Sequence, residues 1–199
     1  MIDFINYKHG NGEILPYERY TLYNWITELE PNIVLEVGTG SGASSYVIMN
    51  ALATEAKLYT CDPVKRGQVS LVESEFENCV YSECTSDTLI DQLINSNIIP
   101  DFIFFDGPDV PEISLNDFKR IESLVKVGCF FSAHDWEVSE RLYDGHVCNK
   151  NAYLRPYIEA SNDWVCIDIL SGLEINSDYH ITNDADSVGL CLYKKIENE

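Results

Sequence analysis

The sequence predicts an α/β protein with a doubly wound, mostly parallel seven-stranded sheet and helices on both faces. Short apolar segments rich in β-branched and aromatic residues alternate with longer segments of helical periodicity, which is typical of parallel strands joined by crossover helices. A glycine-rich turn, residues 38–42, follows the first apolar segment. The length of 199 residues fits one domain. We therefore expect a single domain over 1–199, with 1–30 as an N-terminal cap and helix segment.

The first half of the chain is predicted to contain three strands and four helices. The strands are 33–37, 57–61 and 79–83, and the helices are 17–29, 43–55, 67–77 and 86–95. In the last of these helices, Leu89, Ile90 and Leu93 recur at helical spacing and are expected to be buried together. Ser86 or Asp87 is expected to cap its N-terminus.

The second half is predicted to contain four strands and two helices. The strands are 101–105, 129–133, 164–170 and 188–194, and the helices are 116–126 and 152–162. The first of these strands is almost entirely apolar, which predicts a strand covered on both faces. Residues 171–187 contain no crossover of helix length, so the last strand is free to run antiparallel. Ligands of such sheets bind beyond the carboxyl ends of the strands, which makes the residues there the candidates for function.

The charge and cysteine content exclude several classes of partner. The chain has 33 acidic against 13 basic residues, a formal net charge of −20. Such a surface repels nucleic-acid phosphates and anionic lipid, so we expect neither as a partner. No apolar run is long enough to span a bilayer, no signal peptide is recognisable, and seven cysteines without CxxC spacing are typical of reduced thiols. These features predict a cytoplasmic protein and leave a homo-oligomer open; the small-molecule partner is implied by the resemblance given below.

The glycine-rich turn predicts a nucleotide-containing ligand. Glycines between a strand and a helix let the backbone approach such a ligand without Cβ clashes. Asp62 ends the second predicted strand, 20 residues after Gly42, where a carboxylate can accept hydrogen bonds from a ribose diol. The pattern Gly38-x-Gly40-x-x-Ala43 matches the dinucleotide fingerprint, so a nicotinamide-dependent oxidoreductase is one interpretation.

The same turn also resembles the first motif of the class I S-adenosylmethionine (SAM) methyltransferases, read as Glu36-x-Gly38-x-Gly40-x-Gly42. Glu36 favours this second interpretation, because an acid beside a pyrophosphate is repulsive whereas an acid beside the cationic aminoacyl part of SAM is favourable.

Four further segments resemble that superfamily in the expected order. Residues 84–89 are similar to the segment that follows its third strand, and 101–107 to its "DxIFIDG" strand. Residues 126–128 are similar to its "LKPGG" turn, with Val127 and Cys129 in place of two residues, and 188–194 to its terminal strand. The resemblance covers roughly residues 20–195 and implies a Rossmann-like methyltransferase fold with SAM as cofactor.

The resemblance also implies roles for individual residues. The implied cofactor-binding residues are Glu36, Gly38, Thr39, Gly40, Gly42, Asp62, Ser86, Asp87 and Asp106. In this assignment, the aminoacyl and turn contacts are made by Glu36, Gly38 and Gly40. Asp62 contacts the ribose, and Ser86 with Asp87 lines the rim of the adenine site.

The nearest branch is the small-metabolite O-methyltransferases, which include the catechol and macrolide-sugar enzymes. The resemblance implies a divalent-metal site of Asp106, His134 and Asp135, which would hold and acidify a substrate hydroxyl of a sugar, phenol or natural product. One imidazole among the ligands favours Mn, Fe, Ni or Zn over Mg. The implied catalytic residues are Asp106, His134 and Asp109, the last standing where these enzymes have a Lys or His base. A carboxylate is a weak base for an aliphatic hydroxyl unless a metal first lowers the pKa of that hydroxyl.

Other interpretations of these acids stay open. Asp106 would then only contact the ligand, and His134 with Asp135 would cap the following helix. A SAM-fold protein without methyl transfer, similar to the cephalosporin hydroxylases, also fits the residues of both sites.

Overall fold

The computed structural model describes residues 14–66, 69–136, 142–143, 146–147, 149–171 and 189–197. The helices are α1 (Pro16–Leu29), α2 (Ala43–Ala51), α3 (Val69–Glu75), α4 (Ser86–Asn95), α5 (Pro111–Leu124) and α6 (Asn151–Glu159). The strands are β1 (Ile33–Val37), β2 (Lys57–Asp62), β3 (Cys79–Glu83), β4 (Phe102–Phe105), β5 (Phe130–His134), β6 (Leu142–Tyr143), β7 (His146–Val147), β8 (Trp164–Ser171) and β9 (Gly189–Lys195).

Seven of the strands form one sheet in the order β3-β2-β1-β4-β5-β9-β8. β1 pairs in parallel with β2, and β2 with β3, whereas β9 runs antiparallel to both β5 and β8. The predicted α/β class with a mostly parallel seven-stranded sheet is therefore confirmed. The sequence did not predict β6 and β7, which form a separate antiparallel pair. The chain divides into two compact units, Met1–Phe104 and Phe105–Glu199, which are described in turn.

The described residues of the first unit form a core between α1, α2 and the first strands. Leu22, Ile26, Leu35 and Ile48 are completely buried there. Asp101 fixes the start of the β4 segment, because its carboxylate accepts hydrogen bonds from the backbone N–H groups of Asn32 (3.0 Å) and Ile33 (2.9 Å). This contact ties the start of the β4 segment to the start of β1, the strand whose carboxyl end carries the glycine turn.

The second unit is built on an aromatic cluster. The ring of Phe118 on α5 packs at 4.8 Å from that of Phe131 on β5 and at 5.6 Å from that of Trp164 on β8, measured between centroids. Glu122 on α5 accepts hydrogen bonds from Tyr157 of α6 and from the Trp164 indole, each at 2.7 Å. These contacts hold α5 and α6 against β8.

Element boundaries differ from the predictions where a local capping residue decides them. α5 begins at Pro111 rather than at 116, because proline is well suited to the first position of a helix. The N-cap of α4 is Thr85, so the prediction of Ser86 or Asp87 was wrong by one or two residues. α2 ends at Ala51 rather than at 55, because Leu52 takes up an extended conformation.

Candidate active site

The glycine turn between β1 and α2 is held by backbone hydrogen bonds to β2. The N–H groups of Gly38 and Thr39 both donate to the Cys61 carbonyl, at 3.1 and 3.0 Å, and the N–H of Gly42 donates to the Thr39 carbonyl at 2.8 Å. Gly38, Gly40 and Gly42 have φ values of 92°, 54° and 93°. These left-handed conformations explain why glycine occupies each of the three positions.

Gly40 and Gly42 lie in different surroundings. A Cβ on Gly42 would come within 3.3 Å of the Val72 side chain, so this glycine permits close packing of the turn against α3. A Cβ on Gly40 would meet no heavy atom of the described residues within 4 Å. The bare backbone at Gly40 therefore faces open space, as a turn that receives a ligand must.

Glu36 on β1 anchors the start of α2. Its carboxylate is fully buried and accepts hydrogen bonds from the hydroxyls of Ser44 (2.6 Å), Thr60 (2.6 Å) and Ser45. The Thr60 hydroxyl also lies 2.6 Å from that of Thr39 in the turn. Glu36 thus fixes the turn, an anchoring role that the sequence did not reveal, and its predicted contact with the aminoacyl part of SAM stays a prediction.

Asp62, at the end of β2, connects to the same turn. Its Oδ2 accepts a hydrogen bond from the Gly40 N–H and its Oδ1 accepts one from the Val64 N–H, each at 3.0 Å. Each carboxylate oxygen has a second lone pair, so both oxygens can accept a further hydrogen bond. The geometry is compatible with the predicted ribose contact.

Ser86 and Asp87 lie in the first turn of α4. The Thr85 hydroxyl donates to the Asp87 carboxylate, which steadies this turn. Their assignment to an adenine rim stays a prediction.

The second unit brings together Asp106, His134 and Asp135, as the sequence predicted. One potential ligand atom from each of the three lies within 4.8 Å of the others. His134 Nδ1 lies 3.2 Å from Asp106 Oδ1 and 3.4 Å from Asp135 Oδ1. Two carboxylates and an imidazole at such distances are a donor set that a divalent transition metal can bind. We call these three residues the acid–histidine cluster; its metal-binding role stays a prediction.

Lys150, which sequence reasoning missed, enters the acid–histidine cluster. Its Nζ lies 2.8 Å from Asp106 Oδ1 and 2.6 Å from Asp135 Oδ2, and the residue is 2% exposed. The only signal in the sequence is a polar run, 149–151, before a predicted helix. Such a run more commonly reports a solvated helix end than a buried ion pair.

Asn151 holds the backbone that carries His134 and Asp135. Its Nδ2 donates to the carbonyl oxygens of both residues at 2.8 Å. Asp135 has a φ of 57°, a left-handed conformation that few residues other than glycine, asparagine and aspartate adopt. The side chain of Asp135 is thereby turned toward His134 and Lys150.

Electrostatics keep both carboxyls of the acid–histidine cluster ionised. Burial alone would raise the pKa of the Asp106 and Asp135 carboxyls, but Lys150 and His134 outweigh that effect and hold both pKa values below their usual range. Burial alone would lower the pKa of Lys150, but the carboxylates of Asp106 and Asp135 raise it above its usual range. Asp106, Asp135 and Lys150 are therefore two carboxylates and an ammonium at neutral pH, with Asp135 and Lys150 buried and Asp106 half-buried.

Asp109 stands apart from this cluster. Its side chain is 60% exposed, and its Oδ1 lies 3.8 Å from Lys150 Nζ. Its catalytic role stays a prediction.

The seven-stranded sheet, with β9 antiparallel to β5, and the glycine turn after β1 are features of the Rossmann-like methyltransferase fold. A family model described as a methyltransferase domain matches residues 35–136, just over half of the chain, and the chain belongs to this family. The predicted methyltransferase class is therefore confirmed. A search of curated proteins found no match.

Solved structures with the same fold are also methyltransferases. An O-methyltransferase from Bacillus cereus in complex with SAH has a TM-score of 0.69 at 16% identity, over 94% of this chain and 84% of that chain. The O-methyltransferase TomG from Streptomyces achromogenes, in complex with SAM, has a TM-score of 0.70 at 15% identity, over 93% of this chain and 82% of that chain. A methyltransferase from Geobacter sulfurreducens has a TM-score of 0.62 at 12% identity, over 91% of this chain and 79% of that chain. At these identities the similarity establishes the fold.

Among the residues that the structure describes, every helix is too short or too polar to cross a membrane.

Proposed function

We propose that this methyltransferase uses SAM to methylate a hydroxyl oxygen of a small metabolite, such as a sugar, phenol or natural product, with a divalent cation held by Asp106, His134 and Asp135. The observation that carries the proposal is the acid–histidine cluster in a chain of the methyltransferase family. The chain would act as a single catalytic domain. O-methyltransferases with the same fold, one in complex with SAH and one with SAM, add support.

The glycine turn and Asp62 are the proposed SAM site. SAM supplies a methyl group on a cationic sulfonium. The open backbone at Gly40 would lie against the cofactor, and the free lone pairs of Asp62 would accept its ribose hydroxyls. Glu36, buried behind the turn, would favour the cationic aminoacyl part through its negative charge.

The acid–histidine cluster is the proposed acceptor site. A divalent cation bound there would make an acceptor hydroxyl easier to deprotonate. Asp106 and Asp135 offer carboxylate oxygens and His134 offers an imidazole nitrogen, a mixed set that favours Mn, Fe, Ni or Zn over Mg. Asp109, which is exposed and has its Oδ1 3.8 Å from Lys150 Nζ, is the proposed acceptor of the hydroxyl proton as the C–S bond breaks and the C–O bond forms.

Calorimetry with the full-length protein tests the cofactor. SAM and NAD are titrated separately into the protein, each after chelation and again with Mn²⁺ added back. We expect binding of SAM and none of NAD. Binding of NAD without SAM would contradict the proposal and restore the oxidoreductase interpretation.

Chelation tests the cation. Methyl transfer should be lost after chelation and should return with Mn²⁺, Fe²⁺, Ni²⁺ or Zn²⁺. Full transfer by the chelated protein would exclude the metal site, and recovery with Mg²⁺ alone would exclude His134 as a ligand.

A further inference from the structure

Lys150 bridges the two carboxylates that would hold the proposed cation. Its ammonium contacts Asp106 and Asp135 at hydrogen-bond distance, and Asp106 Oδ1 is the same atom that faces His134. We propose that Lys150 is an exchangeable internal cation, which neutralises the carboxylates when the metal is absent and must leave them when a divalent metal binds. This inference rests on the proposed function, because it concerns the metal site assigned there.

Charge balance supports an exchange rather than joint occupancy. A metal-ligating imidazole must be neutral, and with His134 in that form the carboxylates of Asp106 and Asp135 and the Lys150 ammonium carry a single net negative charge. The Asp109 carboxylate, 3.8 Å from the ammonium, is 60% exposed, so water screens its charge and it is not counted among the buried groups. A divalent cation that replaces the ammonium leaves the buried group neutral. A divalent cation that joins the ammonium leaves a net positive charge among buried atoms, which is costly in a low-dielectric environment.

Distances support the same conclusion. Transition metals bind carboxylate oxygens at about 2.0–2.2 Å, closer than any hydrogen-bonded ammonium. Asp106 Oδ1 faces both His134 Nδ1 at 3.2 Å and Lys150 Nζ at 2.8 Å, so a cation held between Asp106 and His134 would lie close to the ammonium. Their mutual repulsion at such separations is strong because water is largely excluded.

The start of α6 provides the means for Lys150 to leave while its neighbours stay in place. The Asn149 side chain accepts a hydrogen bond from the Asn151 N–H at 2.9 Å, and Asn151 is itself fixed to the carbonyls of His134 and Asp135. Backbone contacts therefore hold the residues on either side of Lys150. The lysine side chain is held at its charged end by the carboxylates, and it has four rotatable bonds with which to move.

The first test measures Mn²⁺ affinity by calorimetry in the wild-type protein, Lys150→Met, Lys150→Gln and the control Lys126→Met. The control removes the same charge from an exposed lysine. Both Lys150 variants should bind Mn²⁺ at least about tenfold more tightly than the wild type, because no internal cation competes. Lys126→Met should match the wild type. Unchanged or weaker binding in folded Lys150 variants would overturn the inference.

The second test uses the wild-type protein alone, so it does not depend on a variant that folds. The Lys150 amine is reductively methylated with and without saturating Mn²⁺, and its modification is followed by mass spectrometry. Modification should be slow after chelation and rise several-fold with Mn²⁺, as the ammonium leaves its carboxylates. Equal modification in both conditions would overturn the exchange.

These readouts separate this inference from the proposed function. SAM binding and methyl transfer test the methyltransferase assignment, whereas Mn²⁺ affinity and Lys150 labelling report only the exchange. A protein that transfers methyl groups but whose Lys150 variants bind Mn²⁺ no more tightly refutes the exchange alone. Tighter Mn²⁺ binding in a protein that transfers no methyl group refutes the function alone.

Discussion

At the scale of single residues, Asp62 accepts a hydrogen bond from the glycine turn and is the proposed contact for the ribose of SAM. Replacing Asp62 by Ala should weaken SAM binding by about tenfold or more, because each lost hydrogen bond to a charged acceptor costs about 1.5–3 kcal/mol. Calorimetry measures the affinity, and the control is Asp168→Ala, an exposed acid on β8. Unchanged SAM affinity in a folded Asp62→Ala protein would exclude Asp62 as the ribose contact.

A second residue-scale prediction concerns the buried Glu36 carboxylate. The Ser45 hydroxyl donates to it from the start of α2. Ser45→Ala should lower the free energy of unfolding by about 1.5–3 kcal/mol, because the variant loses a buried hydrogen bond to a charged group. Ser74→Ala, at an exposed hydroxyl, should change it by less than about 0.5 kcal/mol. Urea unfolding measures both, and equal small effects would show that Glu36 does not anchor the turn.

At the scale of elements, Glu122 joins α5, α6 and β8, and this junction should depend on pH. Its hydrogen bond with Tyr157, together with burial, raises the pKa of that phenol to about 12. The unfolded pKa is about 10, so the stabilisation should be complete below pH ~10 and lost as the pH rises through 12.

The free energy of unfolding of wild type should therefore exceed that of Tyr157→Phe by about 1 kcal/mol near neutral pH, and the difference should vanish toward the folded pKa. Tyr20→Phe, at an exposed tyrosine, should show no difference at any pH. Urea unfolding at several pH values makes the comparison. A difference that persists unchanged through the alkaline range would contradict the role of this hydrogen bond.

The positions of the elements also show which parts of the fold and of the candidate site could be predicted from the sequence. Apolar runs predicted the strands, and the resemblance to the O-methyltransferases implied that Asp106 and His134, which follow or end such runs, lie together. The presence of Lys150 in the cluster could not be predicted, because Lys150 precedes a helix whose position depends on tertiary contacts. These are the contacts of Asn151 with β5 and of Tyr157 with α5. Hydrophobic periodicity predicts which face of a helix is buried, but it does not predict where in the fold the first residue of the helix lies.

At the scale of the whole molecule, the net charge of −20 should prevent useful binding to DNA, RNA or anionic vesicles. The repulsion is electrostatic, so low salt gives the most sensitive test. A filter assay with RNA, with a basic RNA-binding protein as positive control, should show no retention. Retention at about micromolar protein would contradict this expectation.

The central claim is that the chain moves a methyl group from SAM to an oxygen of a small molecule. The most direct measurement incubates the protein and methyl-labelled SAM with a metabolite extract of the source organism, with Mn²⁺ present or after chelation, and identifies the labelled product by mass spectrometry. We predict a small-molecule product labelled on a hydroxyl oxygen, formed with the cation and lost on chelation. A folded, SAM-binding protein that labels nothing, or that places the label on nitrogen or carbon, would contradict the claim.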